Sequence, residues 1–151
     1  MALWRIVIPL LFLLVTGSAL GADTGYWTCS KGQWVPVGEP SYNRPLRDCM
    51  EKPPLPQSQQ RCDALGGTWG PAGLFPKPIC RMPARDAGRI CGDADECDST
   101  CLARLSQAQI DRLRQTGATL TTLGRCATVY PVFGCLAIVE KGQVHGLLCL
   151  D

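Results

Sequence analysis

Apolar residues in this chain come in short runs, and glycine or proline closes nearly every one. The exception is the stretch from Ile6 to Val15, apolar throughout except for Pro9 and preceded by Arg5. The small residues Gly17-Ser18-Ala19-Leu20-Gly21-Ala22 follow it. A positive start, an apolar middle and a small-residue end make residues 1–22 an expected signal peptide, cut after Gly21 or Ala22. The apolar part is shorter than the roughly 20 residues that span a bilayer, so no stable membrane insertion is expected after cleavage.

Beyond residue 22 the pattern predicts small elements. Tyr26 to Cys29 and Gln33 to Val37 are β-prone runs around Ser30-Lys31-Gly32, a hairpin signal. Prolines 40 and 45 cannot continue a ladder, so the chain is expected to return irregularly to Cys49. Pro53-Pro54 and Pro56 make residues 53–57 a stiff extended connector between an N-terminal hairpin unit, 23–52, and a core, 58–151. Ser58 offers an N-cap to a helix over Gln59–Leu65, which Gly66-Gly67 ends. Thr68 to Gly70 and Lys77 to Arg81 are strand candidates.

Ser106 followed three residues later by Gln109 is a capping box, and the helix it opens ends at Gly117. Ile110 and Leu113 form its apolar side. The runs Ala118 to Leu123, Arg125 to Tyr130, Gly134 to Glu140 and Gln143 to Leu150 then predict strands, with Glu140-Lys141-Gly142-Gln143 as a hairpin turn. A two-residue loop there sets Cys135 opposite Leu148; a three-residue loop aligns it with Cys149. The expected fold is α+β, a small disulfide-rich protein of short β-hairpins and two short helices.

Composition sharpens this picture through the ten cysteines in 151 residues. Such density in a short exported chain implies a disulfide scaffold and an oxidising compartment, periplasmic or extracellular. Two loops repeat an order of Cys, Gly, Trp, Pro, Cys, from Cys29 to Cys49 and from Cys62 to Cys80, which predicts pairing within each. Cys91, Cys97, Cys101, Cys126, Cys135 and Cys149 are expected to pair among themselves, and six cysteines allow 15 pairings. The formal charge of +2 carries no basic footprint of the kind nucleic acid requires.

Cys62, Gly66-Gly67 and Trp69, followed by Cys80, Asp86-Ala87-Gly88, Cys91, Cys97 and Cys101, resemble a group of bacterial exported cysteine-rich proteins. The terminal Phe133-Gly134-Cys135 and Leu148-Cys149-Leu150-Asp151 are similar as well. The resemblance covers most of the chain beyond residue 22 and implies compartment and class, with no activity to transfer.

Chemistry is sparse. The intervals between Cys91, Cys97 and Cys101 are not the Cys-x-x-Cys knuckles of zinc sites. Asp93, Asp95, Glu96 and Asp98 could offer oxygens to calcium, but the glycine and glutamate of a hand-type loop are missing, and a solvated acidic loop is expected. His145 stands without a nucleophile motif. No cofactor or metal site is therefore expected, and no enzyme activity. The expected function is a binding module, an inhibitor or immunity-type protein, for a protein or envelope component. The alternatives are a structural envelope protein and a small hydrolase using His145. Trp69 and Phe75, between prolines, and Trp34 are the candidate binding residues, since rigid aromatic loops make good anchors.

Overall fold

The computed structural model describes residues 25–49, 52, 54–74 and 76–150; the expected signal segment and Phe75 lie outside them. Strands β1 (Tyr26–Ser30) and β2 (Gln33–Val37) form a hairpin closed by Lys31 and Gly32, both at positive φ. Trp27 stands opposite Pro36. Counting from the tight turn, this is a pair whose backbone groups point away from the partner strand. Pro36 therefore removes no ladder bond, and the Trp27 N–H is left to donate elsewhere.

Helix α1 (Gln59–Ala64) is capped by Ser58, whose hydroxyl accepts from the Arg61 N–H. Gly66 takes the left-handed conformation that ends it. Gly67 is required for a different reason: a Cβ there would meet the sulfurs of Met82, Cys80 and Cys62 within 2.6–2.8 Å. Strand β3 (Thr68–Gly70) then pairs with β4 (Ile79–Pro83), two residues later than the sequence suggests. Pro78 explains the shift, since it cannot donate to the ladder. Cys62, Cys80 and Met82 make a small core, against which Leu55, Trp69 and Tyr130 pack.

The second core is built on β5 (Ile90–Cys91), a 3-10 turn at Ala94–Glu96, β6 (Cys101–Leu102) and α2 (Gln107–Thr116). The capping box of Ser106 and Gln109 is formed, and Gly117 closes α2 in the left-handed region. Four short strands follow: β7 (Leu120–Thr121), β8 (Gly124–Cys126), β9 (Val129–Tyr130) and β10 (Gly134–Leu136). The last are β11 (Gln143–Val144) and β12 (Leu148–Leu150). β8 lies between β5 and β6, while β9 extends the β3–β4 sheet, so the two cores are tied by strand pairing. Buried Cys91, Cys97, Cys101, Cys126, Leu113, Val139 and Val144 fill the second core. The fold is thus the small disulfide-rich α+β type with short hairpins and two helices.

The long terminal hairpin expected from sequence is broken. Lys141 and Gly142 do form a two-residue turn, with Glu140 bridged to Gln143. Cys135 nevertheless lies opposite Cys149. Both hold because the returning arm contains one residue more than the outgoing arm, and that residue is absorbed at the bend around Gly146. β11 leaves the hairpin to pair with β7.

All ten cysteines are bonded: Cys29–Cys49, Cys62–Cys80, Cys91–Cys101, Cys97–Cys126 and Cys135–Cys149. A scaffold of this kind is stable in an oxidising, non-cytoplasmic compartment. No helix among the described residues is long and apolar enough to cross a membrane.

Candidate functional site

The acidic run after Cys91 is not a solvated loop; this expectation is overturned. Glu96 is fully buried and Asp98 is 4% exposed. Asp93 caps the 3-10 turn, accepting from the Asp95 N–H at 2.9 Å and, with its other oxygen, from the Lys141 N–H at 2.8 Å. That geometry folds the run back on itself and turns Glu96 inward.

Glu96 Oε1 accepts from the Trp27 N–H at 2.9 Å, the Tyr42 hydroxyl at 2.7 Å and the Gly92 N–H at 3.2 Å. Its Oε2 lies 3.5 Å from Arg89. The N-terminal hairpin is therefore clasped to the second core by one carboxylate. Burial pushes the Glu96 carboxyl above its ordinary range, against the pull of these donors. Burial, with Glu96 alongside, likewise pushes the Tyr42 phenol up. Gly92 allows the close approach, because a Cβ there would strike the Tyr42 hydroxyl at 2.5 Å and Tyr26 at 2.7 Å.

Asp98 forms a second clasp. Arg85 reaches it through Nε at 2.8 Å and Nη2 at 2.9 Å, and the Arg85 N–H adds a bond at 3.1 Å. These bonds hold the Asp98 carboxyl below its usual range despite burial. Asp86 accepts from the Asp98 N–H at 2.9 Å, while its other oxygen is buried without a hydrogen-bond partner among the described residues. Asp95 pairs at the surface with Lys52 and offers its carbonyl to Arg47. The carboxylates considered for calcium are thus each bonded to donors of the chain itself.

Arg85, Asp86, Arg89, Glu96 and Asp98 line a cleft of about 550 Å³ together with Leu46 and Arg47. A second hollow of about 410 Å³ shares Leu46 and Arg89 with it and adds Tyr42, Arg44 and Ile90. Leu46 is 98% exposed on the ridge between them. The ridge is held from both sides. The Trp34 indole donates to the Arg47 carbonyl at 2.8 Å, and the Trp27 indole donates to the Tyr42 carbonyl at 3.2 Å.

The aromatic candidates divide accordingly. Trp34 is 8% exposed, faces Cys29 across the hairpin, and carries the Arg47 guanidinium 5.5 Å over its ring. It anchors a loop and offers a partner little surface. Trp69 is half-buried against the Cys62–Cys80 bond. Phe75 is outside the described residues. His145 is exposed, with Thr119 Oγ1 at 3.4 Å from its Nδ1, longer than an activated nucleophile requires. The sulfurs of Cys91, Cys97 and Cys101 lie within 4.8 Å of one another but are engaged in disulfides.

The Glu96 and Asp98 clasps are the buried geometry beside the cleft that the sequence did not reveal. One signal was present: Asp86, Arg89, Asp93, Glu96 and Asp98 lie among buried-type cysteines, where charges are retained only when paired. No family model, no curated protein and no solved structure matches the chain.

Proposed function

We propose that the protein is an exported, disulfide-stabilised binding module, an inhibitor or immunity-type protein acting on an envelope or extracellular partner. The observation that carries this reading is the ridge at Leu46. A large apolar side chain stands 98% exposed on a loop fixed by the Cys29–Cys49 bond, two indole hydrogen bonds and the Tyr42–Glu96 contact. A loop ordered before association loses little entropy in binding, which favours recognition over flexibility. Beneath it Arg85 is paired with Asp98 and Arg89 with Glu96, an arrangement suited to holding shape. They are not poised for proton transfer, and the reading assigns the chain no catalytic step.

The test is photo-crosslinking in the exporting cell, with the crosslinker placed at position 46 and, as control, at exposed Leu74. The expected result is one stoichiometric partner joined through position 46 and outcompeted by added unlabelled protein. Equal, diffuse labelling from both positions would overturn the binding reading and favour a structural envelope role.

A further inference from the structure

The three-stranded sheet β5–β8–β6 has two unlike faces. Inward it presents Cys91, Gly124, Cys126 and Cys101, with Gly124 so close to Cys101 that a Cβ on it would meet the Cys101 sulfur at 2.7 Å. Outward, strand register sets Ile90, Arg125 and Leu102 side by side, since Arg125 is opposite both. An aliphatic–cationic–aliphatic row therefore crosses the sheet, spanning about 10 Å at the usual strand spacing.

The row is the floor of a longer groove. A hollow of about 250 Å³ contains Ile90, Leu102 and Arg125 and is bordered by Leu123 and Arg104. Through Ile90 it joins the hollow that holds Arg44, Arg89 and the exposed Leu46. Among the described residues neither hollow is lined by an acidic side chain, yet together they carry four arginines. Of these, Arg89 is occupied by Glu96. Arg44, Arg104 and Arg125 are exposed and belong to none of the ion pairs of the described residues. Near-neutral overall charge hides this face, because Glu96 and Asp98, which count toward that balance, are buried.

We propose that this groove binds an extended acidic polypeptide segment in which carboxylate and large apolar side chains alternate. The inference rests on the binding-module reading and names the chemistry of its partner. Charge complementarity requires anions; Arg125 donates through Nη1 to the Gly88 carbonyl at 2.8 Å, and its Nε–Nη2 edge suits a carboxylate. The aliphatic flanks Ile90 and Leu102 select against a ligand that is charged throughout, because burying them is favourable only under apolar groups. In an extended chain, residues i, i+2 and i+4 share a face over about 13 Å, enough to cover the row of about 10 Å.

The test uses the full disulfide-bonded protein and a fluorescein-labelled peptide of sequence Leu-Ser-Glu-Ser-Leu-Ser-Glu, read by anisotropy. Expected is saturable, salt-sensitive binding that Arg125→Glu weakens about tenfold or more, with Arg104→Glu acting in the same direction. Near-UV circular dichroism checks that both variants keep the fold: Arg125→Glu gives up the Arg125 Nη1 bond to the Gly88 carbonyl at 2.8 Å, whereas the Arg104 side chain makes no hydrogen bond among the described residues. The Lys-for-Glu and Ser-for-Leu versions of the peptide should bind at least tenfold more weakly. Equal binding of the Ser-for-Leu peptide, of heparin or of a single-stranded oligonucleotide would overturn the proposal in favour of a general polyanion surface. A partner captured through position 46 as well by Arg104→Glu and Arg125→Glu as by the natural protein would overturn it while leaving the binding reading intact. Peptide binding as expected, without any captured partner, would support the groove and count against the wider reading.

Discussion

The hydroxyl of Tyr42 donates to Glu96 Oε1 at 2.7 Å, joining residues 54 positions apart. The same oxygen takes the Trp27 N–H. The N-terminal hairpin has a disulfide of its own and none to the rest of the chain. Its attachment is therefore largely the work of this carboxylate and of the loop contacts around it.

Replacing Glu96 with Ala strands the Trp27 N–H, the Tyr42 hydroxyl and the Gly92 N–H in a buried site. At about 1–3 kcal/mol for each buried group left unbonded, the expected cost is roughly 3 kcal/mol or more. Glu96→Gln keeps an acceptor in place and should cost far less, about 1 kcal/mol. Denaturant unfolding of the two variants, with hydrogen exchange over residues 26–49, checks the difference. Equal destabilisation by both would contradict the clasp.

The two buried carboxylates should give opposite pH dependences. Glu96 has its folded pKa raised by burial, so folding takes up a proton. Its contribution is complete below the ordinary carboxylate range and is lost as pH rises through the raised value. Asp98 has its folded pKa lowered by Arg85, so its contribution is present above that range and is lost as pH falls through the lowered value. Thermal unfolding against pH should therefore flatten on the higher side in Glu96→Gln and on the acid side in Asp98→Asn. Profiles parallel to the natural protein would sink this account.

Gly67 and Gly124 both press against disulfide sulfurs. Alanine at either position should cost about 1–3 kcal/mol by overpacking and lower the yield of correctly paired protein. Gly70 faces open space at a φ that alanine accepts, and Gly70→Ala should be neutral within about 0.5 kcal/mol. Unfolding midpoints and disulfide mapping of the three variants give the comparison.

Cys135 and Cys149 are exposed, whereas Cys91, Cys97 and Cys101 are fully buried. Limited reduction followed by alkylation should label Cys135 and Cys149 first, because thiol exchange requires access to a sulfur. Peptide mapping reads the order. Early labelling of Cys91 or Cys97 would contradict the packing of the second core.

Much of the fold is legible in local chemistry. The Ser58 and Ser106 caps, the glycine stops at 66 and 117, and the Lys31-Gly32 and Lys141-Gly142 turns depend on neighbours within a few residues. The Cys29–Cys49 and Cys62–Cys80 bonds close loops that the chain already bends toward. The density of cysteine implies the disulfide scaffold, and with it an oxidising, non-cytoplasmic setting, without reference to any contact. These features depend on residue type and short spacing, which a sequence displays directly.

Long-range packing decided the rest. Cys91–Cys101, Cys97–Cys126 and Cys135–Cys149 follow from β8 entering between β5 and β6, and from the extra residue around Gly146. Asp93, Glu96 and Asp98 read as solvent-facing until the partners Trp27, Tyr42 and Arg85 are brought to them. The arginine groove is likewise invisible to net charge, since net charge counts ions without their positions. A buried carboxylate is stable only where donors converge, and convergence across 54 residues exists only once the chain has folded.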